Sequence, residues 1–393
     1  MKIKMMPAQY GDCFWIYTSD KINILVDGGL KSTYNHWIKP LTFFENRYEL
    51  IFDLVIVTHI DCDHIGGIVA FLEDCEKNCR VGLKEIWHNG LFQIGGKKFL
   101  EYLERDVERD EEILNAIIQR GYLSSEDSNI GVSESFALDV LIQEKKVVRN
   151  LGDKNSAICD KTGEYNLGIL TKILVLGPDK ESLNAMEKYW QKEMIARNYR
   201  FQVTNRVKLM QAFEFQMSAV NNYYAPFELQ ISGKDCIERY LSDLEDKDIS
   251  VTNRSSICFV IEEGKYKVLF LGDAVIYNNG SLMKRLEEKY GRTCHFTAIK
   301  LPHHGSRYNV SIDFIKRYTA DEYYFSTNSE RFGHPDIDVV ADVIYYSGTN
   351  NKKLIFNYPL NVIKLFDRND WKQQYHYEIV VGNGNEIVER SYE

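Results

Sequence analysis

The sequence predicts an α/β fold of layered sheets and helices, and three observations predict it. Strand-like and helix-like stretches open the chain as strand–loop–strand–loop–helix–strand, a layer design rather than a regular βαβ array. The apolar run Leu54-Val55-Ile56-Val57 is short, β-branched and unbroken, which suits a strand buried on both faces. Side chains able to bind metal recur just past the carboxyl ends of predicted strands: Asp27, a cluster over 59–64, Asp273, His303-His304 and His334. Open α/β sheets gather their chemistry along that edge.

The chain opens as two strands, Lys2 to Met6 and Cys13 to Thr18. A third, Asn23 to Val26, is closed by the turn Asp27-Gly28-Gly29. Residues 31–50 are polar and aromatic with a helical tendency. The strand at 54–57 leads into the 59–64 cluster, Gly66-Gly67 lets backbone pass close by, and a helix from about Ile65 to Cys75 follows. Val81 to His88 reads as the next strand. From Lys97 to Arg120 apolar residues fall at helical spacing, predicting one or two helices. The Ser- and Asp-rich stretch 123–135 predicts a loop.

Ile169 to Leu176 reads as a strand ending in Gly177-Pro178-Asp179, and Glu181 to Arg200 as a helix. Residues 201–250 are mixed and polar, with a helix around Ile237 to Leu244. A hairpin follows, Ser256 to Glu262 turning at Glu263-Gly264 into Lys267 to Leu271. Next come a helix (Leu282 to Tyr290), a strand (Phe296 to Leu301), a helix (Ile312 to Tyr318), a strand (Glu322 to Ser326) and a helix over 337–346. The tail, 353–393, alternates strand-like segments. The expected organisation is one α/β domain over 1–346 carrying a partly helical insertion at about 91–250, then a β-rich C-terminal extension over 347–393.

Composition bounds the function. At 393 residues and 44% hydrophobic, the chain has material for two or three average domains, or for one large α/β domain with insertions. No apolar run approaches the ~20 residues that span a bilayer, and the N-terminus lacks a long apolar signal region. The expectation is a cytoplasmic protein with no membrane partner. The eight cysteines have no repeating spacing; Cys75 and Cys79 have no second pair to complete a zinc knuckle, so reduced thiols are expected. A net charge of −9 opposes a broad grip on duplex nucleic acid. It favours short or single-stranded substrates if nucleic acid is the target.

The densest chemistry is Thr58-His59-Ile60-Asp61-Cys62-Asp63-His64. A strand ending in a tight turn aims His59 and Asp61 at one point and brings Asp63 and His64 to a neighbouring one. Imidazole and carboxylate together suit zinc, manganese or iron better than calcium or a structural thiolate site. The plainer reading, a polar surface loop holding two histidines, sits badly with ionisable groups at the end of a buried strand. His36, His295 and His376 lie away from strand ends and read as ordinary surface or core residues. His88 does end a strand and is a candidate to line the cleft.

These motifs resemble the metallo-β-lactamase superfamily, whose signature is H-x-H-x-D-H. Here His59-x-Asp61-x-Asp63-His64 replaces the second His by Asp, a variant similar to the metallohydrolase domain of ComEC-type DNA-uptake proteins and related phosphodiesterases. Tyr10-Gly11-Asp12-Cys13 followed by Ile24-Leu25-Val26-Asp27-Gly28-Gly29 is similar to that subgroup's opening hairpin. Asn253-Arg254-Ser255-Ser256 with Phe270-Leu271-Gly272-Asp273-Ala274 resembles its central segment. Leu301-Pro302-His303-His304-Gly305-Ser306 and Gly333-His334-Pro335 resemble its later motifs. Several motifs in the right order are far more specific than one. The resemblance covers roughly 1–90 and 250–346. It departs from the wider superfamily in having no His between His88 and His295, where a ligand is usual.

The resemblance implies an αββα sandwich and two divalent ions, zinc or manganese. His59, Asp61 and His304 would hold one ion and Asp63, His64 and His334 the other, with Asp273 bridging. Which of His303 and His304 is the ligand is taken from the resemblance. Asp63 and His303 would take part in catalysis, His303 as a phosphate-contacting or acid–base group. Asp27 would fix a ligand imidazole, with Asn253, His88 and Arg307 as supporting residues. Two ions about 3.5–4 Å apart activate a shared water and clamp the attacking and leaving oxygens. The expected function is cleavage of a phosphodiester in nucleic acid or a nucleotide. A second reading keeps the metals and changes the ester to a lactone, thioester or phosphocholine ester. A third makes the protein a defence-associated module with a vestigial site that binds a protein partner through 91–250; the complete ligand set argues against it.

Overall fold

A computed structural model describes residues 1–44, 47–74, 82–90, 93–94, 138, 141–153, 156–196, 236–242, 247–348 and 351–393. The helices expected over 97–120, the loop over 123–135 and the Cys75–Cys79 pair lie outside the described residues. The chain forms two compact units, one of Met1–Ile22, Cys159–Asp179 and Tyr223–Glu393, the other of Asn23–Ile158 and Lys180–Asn222.

Along the chain the first strands are β1 (Lys2–Met5), β2 (Phe14–Tyr17) and β3 (Asn23–Val26). Two short strands, β4 (Phe43–Phe44) and β5 (Arg47–Tyr48), precede β6 (Phe52–Ile56), helix α1 (Cys62–Glu73) and β7 (Leu83–Trp87). Then come β8 (Val148–Arg149), β9 (Glu164–Asn166), β10 (Thr171–Gly177) and helix α2 (Lys180–Ala196). The hairpin is β11 (Cys258–Glu263) and β12 (Tyr266–Phe270), followed by α3 (Ser281–Tyr290) and β13 (Cys294–Lys300). Helix α4 (Ile312–Arg317), β14 (Tyr318–Phe325), α5 (Ile337–Tyr346) and β15 (Lys352–Phe356) come next. The chain closes with α6 (Asn361–Phe366), α7 (Asn369–Tyr375), β16 (Tyr377–Val381) and β17 (Val388–Ser391).

In the first unit, eight strands form one sheet in the order β16-β15-β14-β13-β12-β11-β10-β9. β12 to β16 run parallel and β9 to β12 antiparallel. β17, β1 and β2 pair antiparallel as a second layer. Phe14 of β2 packs edge-on against Phe270 of β12 at 5.5 Å and Tyr324 of β14 at 6.0 Å, so sheet lies on sheet. The core of the other face joins Leu269, Phe296 and Tyr323 of the sheet to Leu286, Phe314, Val343 and Phe366 of the helices. In the second unit β3, β6, β7 and β8 are parallel. Helix α1 covers that sheet, with Phe71 in contact with Phe52 of β6. These are the helix and sheet layers that the sequence predicts.

Two departures have local causes. The tail was expected to be strand-like, yet it places α6 and α7 between β15 and β16. Val362 and Phe366, four apart, fall on one helical face and are buried. Helix α1 starts at Cys62, earlier than the expected Ile65, because Asp61 takes the extended N-cap conformation (φ −67°, ψ 143°). Asp63 and His64 therefore ride on the first helical turn. The helix expected around Ile237 to Leu244 is a single turn, Ile237–Tyr240. No helix among the described residues is long and apolar enough to cross a membrane.

Candidate metal centre

In the second unit β3 and β6 run parallel, so the loops that follow them leave by one edge. Asp27 has a left-handed backbone, φ 55°, which Asp tolerates better than most residues. Its buried carboxylate accepts hydrogen bonds from Thr58 N–H at 2.7 Å, Thr58 Oγ1–H at 2.8 Å and His64 Nδ1–H at 2.8 Å. With its hydrogen given to Asp27, the Thr58 hydroxyl accepts from His59 Nδ1–H at 3.1 Å. Both imidazoles are thus held in the tautomer whose lone pair is on Nε2, the arrangement that metal-binding histidines adopt.

The His59 and His64 rings are 4.1 Å apart. Asp61 Oδ2 lies 3.6 Å from His59 Nε2, close enough for both to reach one cation at about 2.0–2.2 Å. Asp63 is buried on the first turn of α1, where the helix dipole favours a carboxylate. The glycines make this packing possible. Gly28 N–H donates to the His64 carbonyl at 2.7 Å and Gly67 N–H to that of Gly29 at 2.9 Å. A Cβ on Gly67 would lie 2.0 Å from the Gly28 oxygen.

His88 is buried just past β7. Its N–H donates to Asn150 Oδ1 at 2.9 Å and its carbonyl accepts from Arg149 at 3.0 Å. Burial, with Arg149 nearby, holds its imidazole well below the usual histidine range, so the ring is neutral.

In the first unit β12, β13 and β14 are parallel, and their following loops share an edge. After β13 the chain makes a left-handed turn through His303 (φ 46°), His304 (φ 56°) and Gly305 (φ 89°). Such a conformation costs a non-glycine residue about 1–3 kcal/mol and clusters at functional sites. Here it brings adjacent imidazoles to the same carboxylate. Nε2 of His303 and Nε2 of His304 lie 3.7 Å and 3.9 Å from Asp273 Oδ2.

His304 Nδ1–H donates to the Ser326 carbonyl at 2.8 Å. Asn309 gives its amide hydrogens to Asp248 Oδ2 at 3.1 Å and the Asp273 carbonyl at 2.9 Å. That fixes Asn309 Oδ1 as the acceptor of His303 Nδ1–H at 3.0 Å. The His334 ring lies 5.1 Å from that of His303. Its Nδ1 faces the Asp336 carboxylate at 3.5 Å, longer than an ordinary hydrogen bond, and neither ring nitrogen has a hydrogen-bond partner among the described residues. Burial lowers the His334 pKa, with Asp336 pulling the other way.

The expected residues therefore fall into two groups. His59, Asp61, Asp63 and His64, with Asp27 behind them, belong to the second unit. Asp273, His303, His304 and His334 come together in the first. Asn253 donates to Asp248 Oδ2 at 2.6 Å and lies 3.4 Å from His303 Nδ1, a scaffolding position. Arg307 is drawn onto carboxylates: its Nε lies 3.3 Å from Asp338 and 3.7 Å from Asp336. It is thus engaged by carboxylates rather than supplying uncompensated positive charge for phosphate. Sequence reasoning gave no role to Thr58, Asp248, Asn309, Ser326 or Asp336. A lone polar residue in a mixed stretch carries no periodic signal that would have marked it.

No family model and no curated protein matches the chain. Among solved structures 31 chains match. The chain is similar to the metallo-β-lactamase fold protein YhfI from Bacillus subtilis, at 10% identity over 99% of each chain and a TM-score of 0.38. It is similar to Zn²⁺-bound PqqB from Methylobacterium extorquens at 9% identity over 100% of each chain, TM-score 0.39. It is also similar to the CmlA β-hydroxylase at 11% identity over 87% of this chain and 49% of that one, TM-score 0.33.

Proposed function

We propose that the protein is a dinuclear metal-dependent hydrolase that cleaves a phosphodiester. The observation that carries this reading is the backing of the imidazoles: Asp27 behind His64, Thr58 behind His59, Ser326 behind His304, Asn309 behind His303 and Asp336 behind His334. The first four accept from Nδ1 and turn Nε2 to the ligand or proton-transfer role, while Asp336 faces His334 Nδ1 at 3.5 Å as a neighbouring charge. On this reading His59, Asp61, Asp63, His64, Asp273, His304 and His334 would supply the ligands for the divalent ions. Bound ions of this kind supply Lewis acidity and lower the pKa of a coordinated water toward about 7.

The residues do the rest. Asp27 and Thr58 orient the two imidazoles. His303, with Nδ1–H on Asn309, has Nε2 available to take or return a proton at the ester. Asp61, where the superfamily signature has His, adds a hard oxygen donor that admits manganese beside zinc. That substitution, with the ComEC-type resemblance, supports a phosphodiester. The engagement of Arg307 by Asp336 and Asp338 favours the lactone or thioester of the second reading over its phosphocholine ester, because it withdraws a cation from phosphate binding.

Purified protein with added zinc or manganese is to be assayed on bis(p-nitrophenyl) phosphate, single-stranded DNA and RNA, alongside a lactone, a thioester and a phosphocholine ester. Metal-dependent turnover of a phosphodiester, lost at least about 100-fold in His64→Ala, is the expected result. Turnover confined to the lactone or thioester supports the second reading. No turnover of any substrate with either metal contradicts the assignment.

A further inference from the structure

We propose that Lys300 is a positioning residue that, with Asp12, sets the Asp273 carboxylate and the His304 ring for metal. This rests on the reading of Asp273 and His304 as ligands. Lys300 ends β13, in register with Phe270 of β12, and both Lys300 and Asp12 are only 2% exposed. The ammonium forms an ion pair with Asp12. It also donates to the Gly272 carbonyl at 3.2 Å and lies 3.9 Å from Asp273 Oδ1. The same Gly272 carbonyl accepts His303 N–H at 3.1 Å. Lys300 thus grips the peptide from which Asp273 hangs and to which the histidine turn is tied.

Asp12 carries the network onward. Its Oδ1 lies 3.3 Å from His304 Nδ1, beside the Ser326 carbonyl that takes that hydrogen. The turn holding Asp12 is pinned to the same strand end, since the Gly11 carbonyl accepts from Ser326 Oγ at 2.9 Å. Burying an ammonium and a carboxylate costs desolvation that their attraction seldom exceeds, and apolar residues of similar volume often serve stability as well or better. Stability therefore gives little reason for a Lys at this position. Geometry does: one cation meets Asp12, Gly272 and Asp273 together, and offsets negative charge among the carboxylates of the site.

Lys300→Met alone leaves Asp12 buried without its cation, and its Tm is expected to fall. The deciding protein is the full chain carrying Lys300→Met and Asp12→Asn together, compared with wild type by thermal melting and by zinc titration against a chromophoric chelator. We expect an unchanged Tm, within about 5 °C, with zinc held about 10–100-fold more weakly. Zinc affinity within about twofold of wild type overturns the proposal, as does a double variant that melts far below wild type, which assigns the pair to stability. A wild-type chain that takes up no zinc overturns the metal reading, and this proposal with it; equal zinc affinity in both chains overturns this proposal alone.

Discussion

Oδ2 of Asp27, a residue whose own backbone is left-handed, accepts the Nδ1 hydrogen of His64 at 2.8 Å. An aspartate placed this way does two things. It fixes which nitrogen of His64 bears the lone pair, and through Thr58 it does the same for His59. Asp27→Asn keeps the volume and tolerates the backbone but removes the charge. Zinc affinity is expected to fall about 10–100-fold, measured by chelator competition. An unchanged affinity would show that the tautomers are set by something else.

The two glycine pairs serve this packing rather than chain flexibility. A Cβ on Gly67 would collide with the Gly28 carbonyl at 2.0 Å, and backbone cannot swing aside. Gly67→Ala is expected to cost about 1–3 kcal/mol in urea unfolding, the range for overpacking. A variant as stable as wild type would mean that the loop after β3 moves freely from α1.

Asp20 gives a pH dependence remote from the candidate ligands. Burial pushes its carboxyl up, but hydrogen bonds from the Thr171 and Thr18 hydroxyls and from the Leu170 and Thr171 amides outweigh it, taking the pKa down to about 2. The folded pKa lies below the unfolded one, so the stabilisation is present above about pH 4 and is lost as pH falls through about 2. Asp20→Ala is expected to cost roughly 1–3 kcal/mol at neutral pH. The gap from wild type should narrow on acidification; a gap that does not change down to pH ~2 contradicts the account.

Asp342 has the opposite sign. Burial pushes its carboxyl up to about 7, with Asp338 adding to the effect and the Ser242 amide opposing it. The folded state binds the proton more tightly, so stability declines as pH rises from about 4 to about 7. Asp342→Asn keeps an acceptor for Ser242 N–H, 3.1 Å from Oδ1 in the native chain, and removes the titration. Its Tm is expected to exceed that of wild type at pH ~8 and to match it at pH ~4. Equal Tm values at both pH values would contradict a raised pKa.

The sequence made the strands and their edge chemistry legible for a physical reason. Runs such as Leu54 to Val57 and Phe296 to Leu301 must be buried, and the polar residues that end them have to be accommodated at the strand edge. The hairpin at Glu263-Gly264 was equally plain from its turn residues. What stayed hidden depends on contacts distant in sequence. Asn309 meets His303 only because the turn through Gly305 folds back, and Ser326 reaches His304 by its carbonyl, which no residue type announces. Arg307 looked like a phosphate contact by proximity in sequence, while Asp336 and Asp338, some thirty positions on, draw it away. The short turn at Ile237–Tyr240 lacked a cap signal that would have marked its end.

Elemental analysis of the purified chain tests the central claim most directly, with wild type beside His64→Ala and His304→Ala. About two zinc or manganese ions per wild-type chain, and a loss of metal in both variants, is the predicted result. A wild-type chain with no bound metal, or metal retained in full when either histidine is removed, would contradict it.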